Sequence, residues 1–261
     1  MAVSGPAIAI DWASWARRWD AQQRFMVLRR EERFEVMLAV AAATLGHAPI
    51  RVLDLACGTA SISHRGLQSF PAARFVAQDL DPLLLAIGQA SLGDAAGRLS
   101  WVRADLRAAD WIDALREHAP FDAVLTSTAL HWLTGTDVLR IYRDLATITQ
   151  AGGVFLNADR LPAGPPLGRI AQATEALRKE QIAALQVREP AESWSTWWDA
   201  AEAEPAFAEL IAERNRLFED NPSPRDLLTS AFHQEALAMA GYSETGVVWR
   251  YLDYAIVLGV R

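Results

Sequence analysis

Cysteine is almost absent from this sequence of 261 residues, in which Cys57 is the single example. One cysteine excludes an internal disulfide framework and fits a reducing compartment, so the sequence predicts a cytoplasmic location. No uninterrupted apolar stretch approaches the ~20 residues that a membrane span needs. The first residues lack the basic start and apolar core of a signal peptide. We therefore expect no signal peptide and no membrane as a partner.

An excess of basic residues is also missing, since 25 Lys and Arg stand against 32 Asp and Glu, a net charge of −7. Nucleic acids and anionic membranes attract basic surfaces, so this balance argues against either as the main partner. Lysine is nearly absent, and the ratio of 24 Arg to 1 Lys indicates a compositional bias rather than a function. Hydrophobic residues make up 51%, enough for one large domain or a domain with an insertion.

The segment 49–63, PIRVLDLACGTASIS, carries the most informative pattern. Its branched apolar run, from Ile50 to Leu55, is typical of a strand buried on both faces of a parallel sheet. The run ends at a small-residue turn around Gly58, where a ligand can approach the backbone and the start of the next helix. The dinucleotide fingerprint G-x-G-x-x-G is missing. Asp54 would repel a pyrophosphate and attract a cation or a hydroxyl, which disfavours NAD as the ligand.

Strand-like and helix-like segments alternate from residue 50 to residue 160, the rhythm of a doubly wound sheet. A helix over 225–240 that ends at Gly241 follows later, and two β-rich runs, 245–251 and 254–260, predict an antiparallel hairpin. The predicted fold class is α/β, a Rossmann-like doubly wound sheet that is mostly parallel, with a C-terminal antiparallel hairpin and a helical cap insertion. The other predicted strands are 50–55, 74–78, 99–104, 121–127 and 153–158, and the predicted helices between them are 60–69, 82–93, 109–117 and 134–149.

The alternation breaks after residue 160 at a Pro- and Gly-rich connection, LPAGPPLG. Two helical segments follow, near 168–187 and 193–219, and then a predicted helix start at Ser223, Pro224 and Asp226. We therefore expect a helical insertion that packs over the active site. The predicted division is 1–46 as an N-terminal helical cap, 47–160 with 225–261 as the cofactor-binding core, and 161–224 as the insertion.

Aromatic residues leave two interpretations open in these helical parts. The apolar stripe within 11–45 favours a helix packed on the main core, with a lid over a ligand cleft as the alternative. Trp194, Trp197 and Trp198 form either an apolar floor that binds the substrate or the insertion's own core.

Three of the five predicted parallel strands end in an aspartate, at Asp54, Asp79 and Asp105. In a doubly wound sheet the ligand crevice lies beyond these strand ends. Asp79 follows Gly58 by 21 residues, the distance at which nucleotide-binding folds place an acid on ribose hydroxyls. Asp81 precedes a proline and is the better helix cap, which leaves Asp79 for the ligand. Asp105 either accepts a hydrogen bond from an exocyclic amine or caps the next helix.

Together, VLDLACGTASIS, Asp79, RADL, FDAVLTSTALHWL and GGVFLNA resemble the class I S-adenosylmethionine-dependent methyltransferases. The trans-aconitate-methyltransferase-like group, which acts on small molecules, is the most similar. The resemblance covers about 50–160 and 225–261 and implies S-adenosylmethionine as the cofactor. By that resemblance the methionine end lies at Asp54, Ala56 and Gly58, the ribose at Asp79, and the adenine at Leu80, Asp105 and Leu106. Ser127, at the end of the fourth strand, completes the predicted cofactor site.

One departure from the family pattern concerns the turn, which usually carries two or three glycines. Ala56 and Ala60 replace two of them here. An added methyl group is tolerated unless the backbone needs a positive φ, in which case cofactor affinity would suffer.

A proton must be removed if the acceptor is a hydroxyl, and His131 is the candidate general base. It follows the fourth strand, and an imidazole titrates near neutrality. The alternative is a structural histidine bonded to backbone. Trp132, Arg160 and Trp197 are the predicted substrate-binding residues, with Arg160 able to pair with a carboxylate, and no metal is predicted.

The sequence therefore predicts an S-adenosylmethionine-dependent methyltransferase for a small molecule. We expect transfer to oxygen, with nitrogen and carbon left open. The alternatives are a non-catalytic binding protein that keeps the fold and, less favoured, an NAD-linked oxidoreductase.

Overall fold

A computed structural model describes residues 10–48, 50–164, 168–219 and 228–261. Within these residues the chain forms a seven-stranded sheet with the order β3-β2-β1-β4-β5-β7-β6. The neighbours from β3 to β5 pair in parallel, and β7 pairs antiparallel with both β5 and β6. The strands are β1 Arg51–Leu55, β2 Arg74–Asp79, β3 Leu99–Arg103, β4 Phe121–Ser127, β5 Thr149–Arg160, β6 Glu244–Tyr251 and β7 Tyr254–Val260.

The predicted sheet is confirmed, and its one notable difference lies in β5. This strand begins at Thr149 rather than near residue 153. Thr149 pairs with Phe121 at the start of β4, and the register shifts before Ala123 pairs with Val154. Gln150, Ala151 and the two glycines therefore form an irregular start to the strand instead of a separate turn.

Nine α-helices are described, and they alternate with the parallel strands as the sequence predicts. The segment predicted as helix 109–117 is instead a 3-10 helix, Trp111–His118, and a short 3-10 turn spans Leu130–Trp132. The α-helices are α1 Trp12–Met26, α2 Arg30–Leu45, α3 Ser61–Ser69, α4 Pro82–Leu92, α5 Gly135–Ile148, α6 Gly168–Arg188, α7 Trp194–Glu202, α8 Ala208–Phe218 and α9 Ser230–Met239.

Two segments predicted as single helices are each divided in two. The segment 11–45 breaks between α1 and α2, where Arg29 adopts a left-handed backbone with φ +55°. The segment 193–219 breaks between α7 and α8, where Glu204 and Pro205 begin a 3-10 turn. Proline cannot continue the hydrogen bonding of a preceding helix, so it ends α7 and starts a new element.

The helix predicted over 225–240 begins, within the described residues, at Ser230. Thr229 caps it by accepting a hydrogen bond from the N–H of Phe232. The predicted start at Ser223, Pro224 and Asp226 lies outside the described residues. Gly241, with φ +95°, follows the last turn as predicted.

Each face of the sheet carries its own apolar core. Helix α2 packs on one face, where Phe34, Met37, Leu38 and Ala41 join side chains of β1, β2 and β5. Helices α5 and α9 cover the other face. Helix α2 is therefore a layer of the main fold.

A third core joins the start of the chain to the segment after β5. Trp15 of α1 packs edge to face on Trp197 of α7, with ring centroids 5.4 Å apart, and Phe207 lies 5.0 Å from Trp15. Leu83 and Ile87 of α4 belong to the same core as these aromatic residues of α1 and α7. The tryptophans of α7 thus share a core with α1 and α4. In the part of the chain that the structure describes, no helix is long and apolar enough to cross a membrane.

The turn after β1 uses a left-handed backbone at alternate residues. The φ angles are +52° at Ala56, +57° at Gly58 and +62° at Ala60. Glycine adopts such angles freely, whereas a residue with a Cβ atom loses roughly 1–2 kcal/mol. The two alanines that replace family glycines therefore stand in strained positions.

We expect Ala56→Gly to raise the free energy of unfolding by up to ~1 kcal/mol, because relief of the left-handed strain exceeds the cost of a more flexible unfolded chain. The matched control is Ala173→Gly on the exposed side of α6, which should lower it by about 1 kcal/mol. Urea unfolding followed by tryptophan fluorescence measures both. Equal losses at the two positions would contradict strain at Ala56.

Candidate active site

The carboxyl ends of the parallel strands open into one large cleft of about 610 Å³. This volume lies in the range of small-molecule sites, roughly 300–1,000 Å³. Helices α1, α6, α7 and α8 contribute its outer walls, and we refer to it as the main cleft. It brings together eleven of the twelve predicted site residues: Asp54, Ala56, Gly58, Asp79, Leu80, Asp105, Leu106, Ser127, His131, Trp132 and Arg160.

Asp54 lies at the bottom of the main cleft with 1% of its surface exposed. Its Oδ2 atom accepts hydrogen bonds from the Ser63 N–H at 2.8 Å and the Ser63 hydroxyl at 2.7 Å. Its Oδ1 atom is buried and has no partner among the described residues. Burial raises the pKa of Asp54 to about 7, despite the bonds from Ser63. A buried carboxylate oxygen without a donor is a site for a cation or an N–H group.

Asp79 holds the backbone of the turn through both of its oxygens. Oδ2 accepts from the Gly58 N–H at 2.7 Å, and Oδ1 accepts from the N–H groups of Leu80 and Asp81. Removal from water raises the pKa of Asp79 to about 6, and the neighbouring Asp81 adds to that effect. Oδ2 accepts only one hydrogen bond and keeps a free lone pair, which a ligand hydroxyl could use.

Gln78 supplies the other hydrogen bonds that hold the turn. Its side-chain oxygen accepts from the Ala56 N–H at 3.2 Å, and its side-chain nitrogen donates to the Ala104 carbonyl at 2.6 Å. The Cys57 N–H donates to the Gln78 carbonyl. With Gly58 bonded to Asp79, three successive N–H groups of the turn are occupied. A phosphate cradle would need these donors free, so the turn is built for a different ligand.

Asp81 is a helix cap, as the sequence predicts. Its Oδ1 atom accepts from the N–H groups of Leu83 and Leu84 at the start of α4. Its Oδ2 atom accepts from Nε of Arg214 in α8 at 2.7 Å, so one carboxylate joins α4 to α8.

Asp105 does not cap the next helix, which begins after Asp110, and its binding of an amine stays a prediction. It forms a local turn by accepting the Arg107 N–H at 2.9 Å, and it pairs with the Arg107 guanidinium at 2.8 Å. Burial favours the neutral acid, but the hydrogen bonds from Arg107 outweigh it and hold the pKa of Asp105 below its usual value. The carboxylate is ionised and faces the main cleft.

His131 pairs with the buried Asp159 through Nδ1, which lies 2.7 Å from Oδ1. Burial alone would lower the pKa of His131, but attraction to the Asp159 charge outweighs it and raises the pKa above its ordinary value. The same pairing holds the pKa of Asp159 below its usual value against the effect of burial. Because Asp159 is ionised, Nδ1 carries the proton that it donates. Nε2 then has a free lone pair, with no partner among the described residues.

A buried arginine lies beside this pair. Arg33 of α2 is fully buried and donates to the Ala158 carbonyl and, at 3.4 Å, to the Ser127 hydroxyl. Ser127 itself donates to the Ala158 carbonyl at 3.1 Å. Burial lowers the pKa of Arg33 to about 10, so it stays charged near neutrality. Its charge offsets that of Asp159.

The three predicted substrate residues differ in position. Trp132 is 48% exposed on the wall of the main cleft, and Arg160 also lines it while bonded to Asp253. Trp197 is fully buried in the core shared with α1 and does not line the main cleft. Trp194 and Trp198, its neighbours on α7, reach the main cleft instead. Successive residues of a helix point to different faces, and the sequence alone does not show which face of α7 points toward the main cleft.

The sequence analysis missed Gln78, Arg33 and the pairing of His131 with Asp159. A polar residue inside the apolar strand β2 was the available signal for Gln78. A basic residue on the apolar stripe of α2 was the signal for Arg33. Among the residues described, no group of three or more His, Cys, Asp or Glu could hold a metal ion.

Comparison with known proteins gives a family for the central part of the chain. Residues 52–153 match the family described as a methyltransferase domain. Trans-aconitate 2-methyltransferase of Streptomyces avermitilis is 29% identical over 119 residues, 45% of this chain and 42% of that protein. A ubiquinone/menaquinone biosynthesis C-methyltransferase of Methylobacterium nodulans is 31% identical over 148 residues, 55% of each chain. The chain therefore matches only about half the length of these relatives.

A solved structure, an O-methyltransferase family protein from Burkholderia thailandensis, superposes with a TM-score of 0.57 at 16% identity. The match covers 94% of this chain and 69% of that one, and it supports the fold alone. The strand order is the predicted Rossmann-like one, and residues 52–153 match a methyltransferase domain, so both findings agree with the class that the motifs predict.

Without a bound cation, ionised Asp54 destabilises the folded state. Its pKa of about 7 lies above the unfolded value near 3.9, so stability is lost as pH rises from ~4 to ~7. We expect Asp54→Asn, which can still accept from Ser63, to raise the free energy of unfolding at pH 8 by roughly 2–4 kcal/mol and to change it little at pH 4.5.

Urea unfolding at the two pH values measures this difference, with exposed Asp113→Asn as the control. The control should stay within ~0.5 kcal/mol at both. A loss of stability in Asp54→Asn at pH 8 would show that the carboxylate charge is already compensated.

Proposed function

We propose that the protein transfers the methyl group of S-adenosylmethionine to a small-molecule acceptor, at an oxygen atom. One observation carries the proposal: the aspartates that end β1, β2 and β3 face the same main cleft as the His131–Asp159 pair. The first set suits a cationic nucleoside, and the second suits removal of a proton.

The fit of the cofactor rests on unsatisfied polar atoms in the main cleft. The free, buried Oδ1 of Asp54 would accept from the ammonium group of the methionine end. Asp79 would accept from a ribose hydroxyl with the remaining lone pair of Oδ2, and Asp105 would accept from the adenine amine. Leu80 and Leu106 would line the base. The three carboxyl groups at the strand ends also favour a ligand with an ammonium and a sulfonium over a dinucleotide.

For methyl transfer the protein must mainly align the acceptor with the methyl group and remove one proton from the acceptor. When bound, the cofactor supplies a methyl group on a sulfonium, which is already an activated electrophile. His131 Nε2 would take the proton of an acceptor hydroxyl as that oxygen forms its bond to the methyl carbon. Asp159 fixes the tautomer and stabilises the imidazolium that results, as the acid of a catalytic triad does. The helices that wall the main cleft would align the acceptor and exclude water.

The acceptor side of the main cleft combines planar and charged groups. Trp132 and Trp194 offer apolar surface, and Arg160 offers a guanidinium partly used by Asp253. These residues support a small acceptor with a planar or apolar part.

A cytoplasmic location also remains our proposal and is supported by the single cysteine.

The first experiment tests cofactor and catalysis separately. S-adenosylmethionine should bind the wild type in calorimetry, and Asp79→Ala should bind at least tenfold more weakly because the turn and the ribose both lose an acceptor. Radiolabelled methyl groups should then enter a product from a metabolite extract. Equal affinity in Asp79→Ala would contradict the ribose assignment. Binding without any product would favour a non-catalytic protein with this fold.

Once an acceptor is known, His131→Ala should lower kcat by roughly 10²–10⁴-fold, the usual contribution of general base catalysis. The rate of the wild type should fall as pH falls through the raised pKa of His131, because the base becomes protonated. Asp159→Asn removes the attracting charge, so its acid limb should move to lower pH while its plateau rate drops.

Rates measured across pH 5.5–9 check this, with His64→Ala on α3 as the control outside the main cleft. An unchanged rate in His131→Ala would mean that the acceptor loses its proton elsewhere.

A further inference from the structure

Helix α8, in the segment after β5, reaches the end of the main cleft that the β2 and β3 aspartates form. Arg214 and Phe218, together with Trp198 of α7, line the main cleft beside Leu80 and Leu106. The methyltransferase match ends at residue 153 and does not include α8.

Arg214 is fixed by two contacts. Its Nε donates to Asp81 at 2.7 Å, and its guanidinium carbon lies 3.7 Å from the centre of the Trp198 ring. The partner carboxylate is buried and caps α4, so the contact is not a loose surface pair. Arg214 therefore holds a fixed position at the wall of the main cleft.

Arg107 makes a second connection between the sheet and α8. While paired with Asp105, it donates to the Leu217 carbonyl at 3.0 Å. The Phe218 ring lies 5.9 Å from the Arg107 guanidinium carbon and 5.1 Å from that of Arg214. One aromatic ring thus lies near two planar cations at this end of the main cleft.

We propose that α8 completes the cofactor site, with Phe218 and the guanidinium of Arg214 covering the adenine end of S-adenosylmethionine. The inference rests on the proposed function, which assigns Asp79 to the ribose and Asp105 to the adenine amine. Aromatic rings and guanidinium planes are the groups on which nucleobases stack. The sheet side offers aliphatic Leu80 and Leu106, so the stacking partners come from the helical segment.

A consequence is that the cofactor and α8 stabilise each other. The bonds from Arg214 to Asp81 and from Arg107 to the Leu217 carbonyl hold α8 in place at this end of the main cleft. Such preorganisation lowers the ordering cost of binding.

Calorimetry on the full chain tests the proposal with two probes, S-adenosylhomocysteine and 5′-methylthioadenosine, which lacks the amino acid part. Phe218→Ala should weaken both ligands by roughly 5–100-fold, the usual effect of losing one stacking ring. Phe218→Tyr should restore most of the affinity. Arg214→Met should also weaken both, whereas Asp54→Asn should weaken only S-adenosylhomocysteine.

Glu213→Gln is the matched control, since it breaks an ion pair between the same helix and exposed Arg103 outside the main cleft. It should bind both probes within about twofold of the wild type. Wild-type affinity in Phe218→Ala and Arg214→Met, with circular dichroism unchanged, would overturn the role of α8. If the wild type itself binds neither probe, the proposed cofactor fails instead. Should Phe218→Ala not fold, Arg214→Met decides the matter alone.

Discussion

The hydrogen bonds from the turn after β1 to the end of β2 are the constraint on which the site depends. Gln78 and Asp79 accept the N–H groups of Ala56, Cys57 and Gly58 and so fix a backbone with alternate left-handed residues. That backbone places Ser63, near the start of α3, where its N–H donates to Asp54. The same Asp79 also accepts from Asp81, whose cap sets the start of α4. One set of bonds between neighbouring strands therefore positions two helices and two of the acids in the main cleft.

The sequence predicts the sheet and the acids at its edge because both depend on local patterns. Apolar runs of strand length and an aspartate after each are visible without the fold. The partnership of His131 with Asp159 is not, since 28 residues separate them and β5 must pair with β4 to bring them together. The burial of Trp197 was also beyond prediction, because the inward face of α7 is set by packing. The strain at Ala56 follows from a φ angle, which an alanine in a sequence does not reveal.

Helices α7 and α8, in the segment after β5, both wall the main cleft and pack against other helices of the fold. The tryptophans of α7 pack against α1 and against Leu83 and Ile87 of α4, the helix that begins at Asp81. Arg214 reaches that same Asp81 from α8. The helices that form the outer wall therefore pack on α4, which begins next to the proposed ribose site. A shift of α7 or α8 would therefore be felt at the ends of β2 and β3.

The buried acids of the main cleft lower the stability of the free protein and favour the binding of a cationic ligand. Asp54 and Asp79 have pKa values of about 7 and about 6, because burial disfavours their charge in the absence of a cation. Near neutrality both forms of each acid are populated, and the ionised form is the one that a cationic ligand needs. A ligand that supplies positive charge removes this penalty, and because it binds only the folded state it also shifts the folding equilibrium. Burial of Asp54 and Asp79 therefore costs stability in the free protein, and the same two acids favour the binding of a cationic ligand.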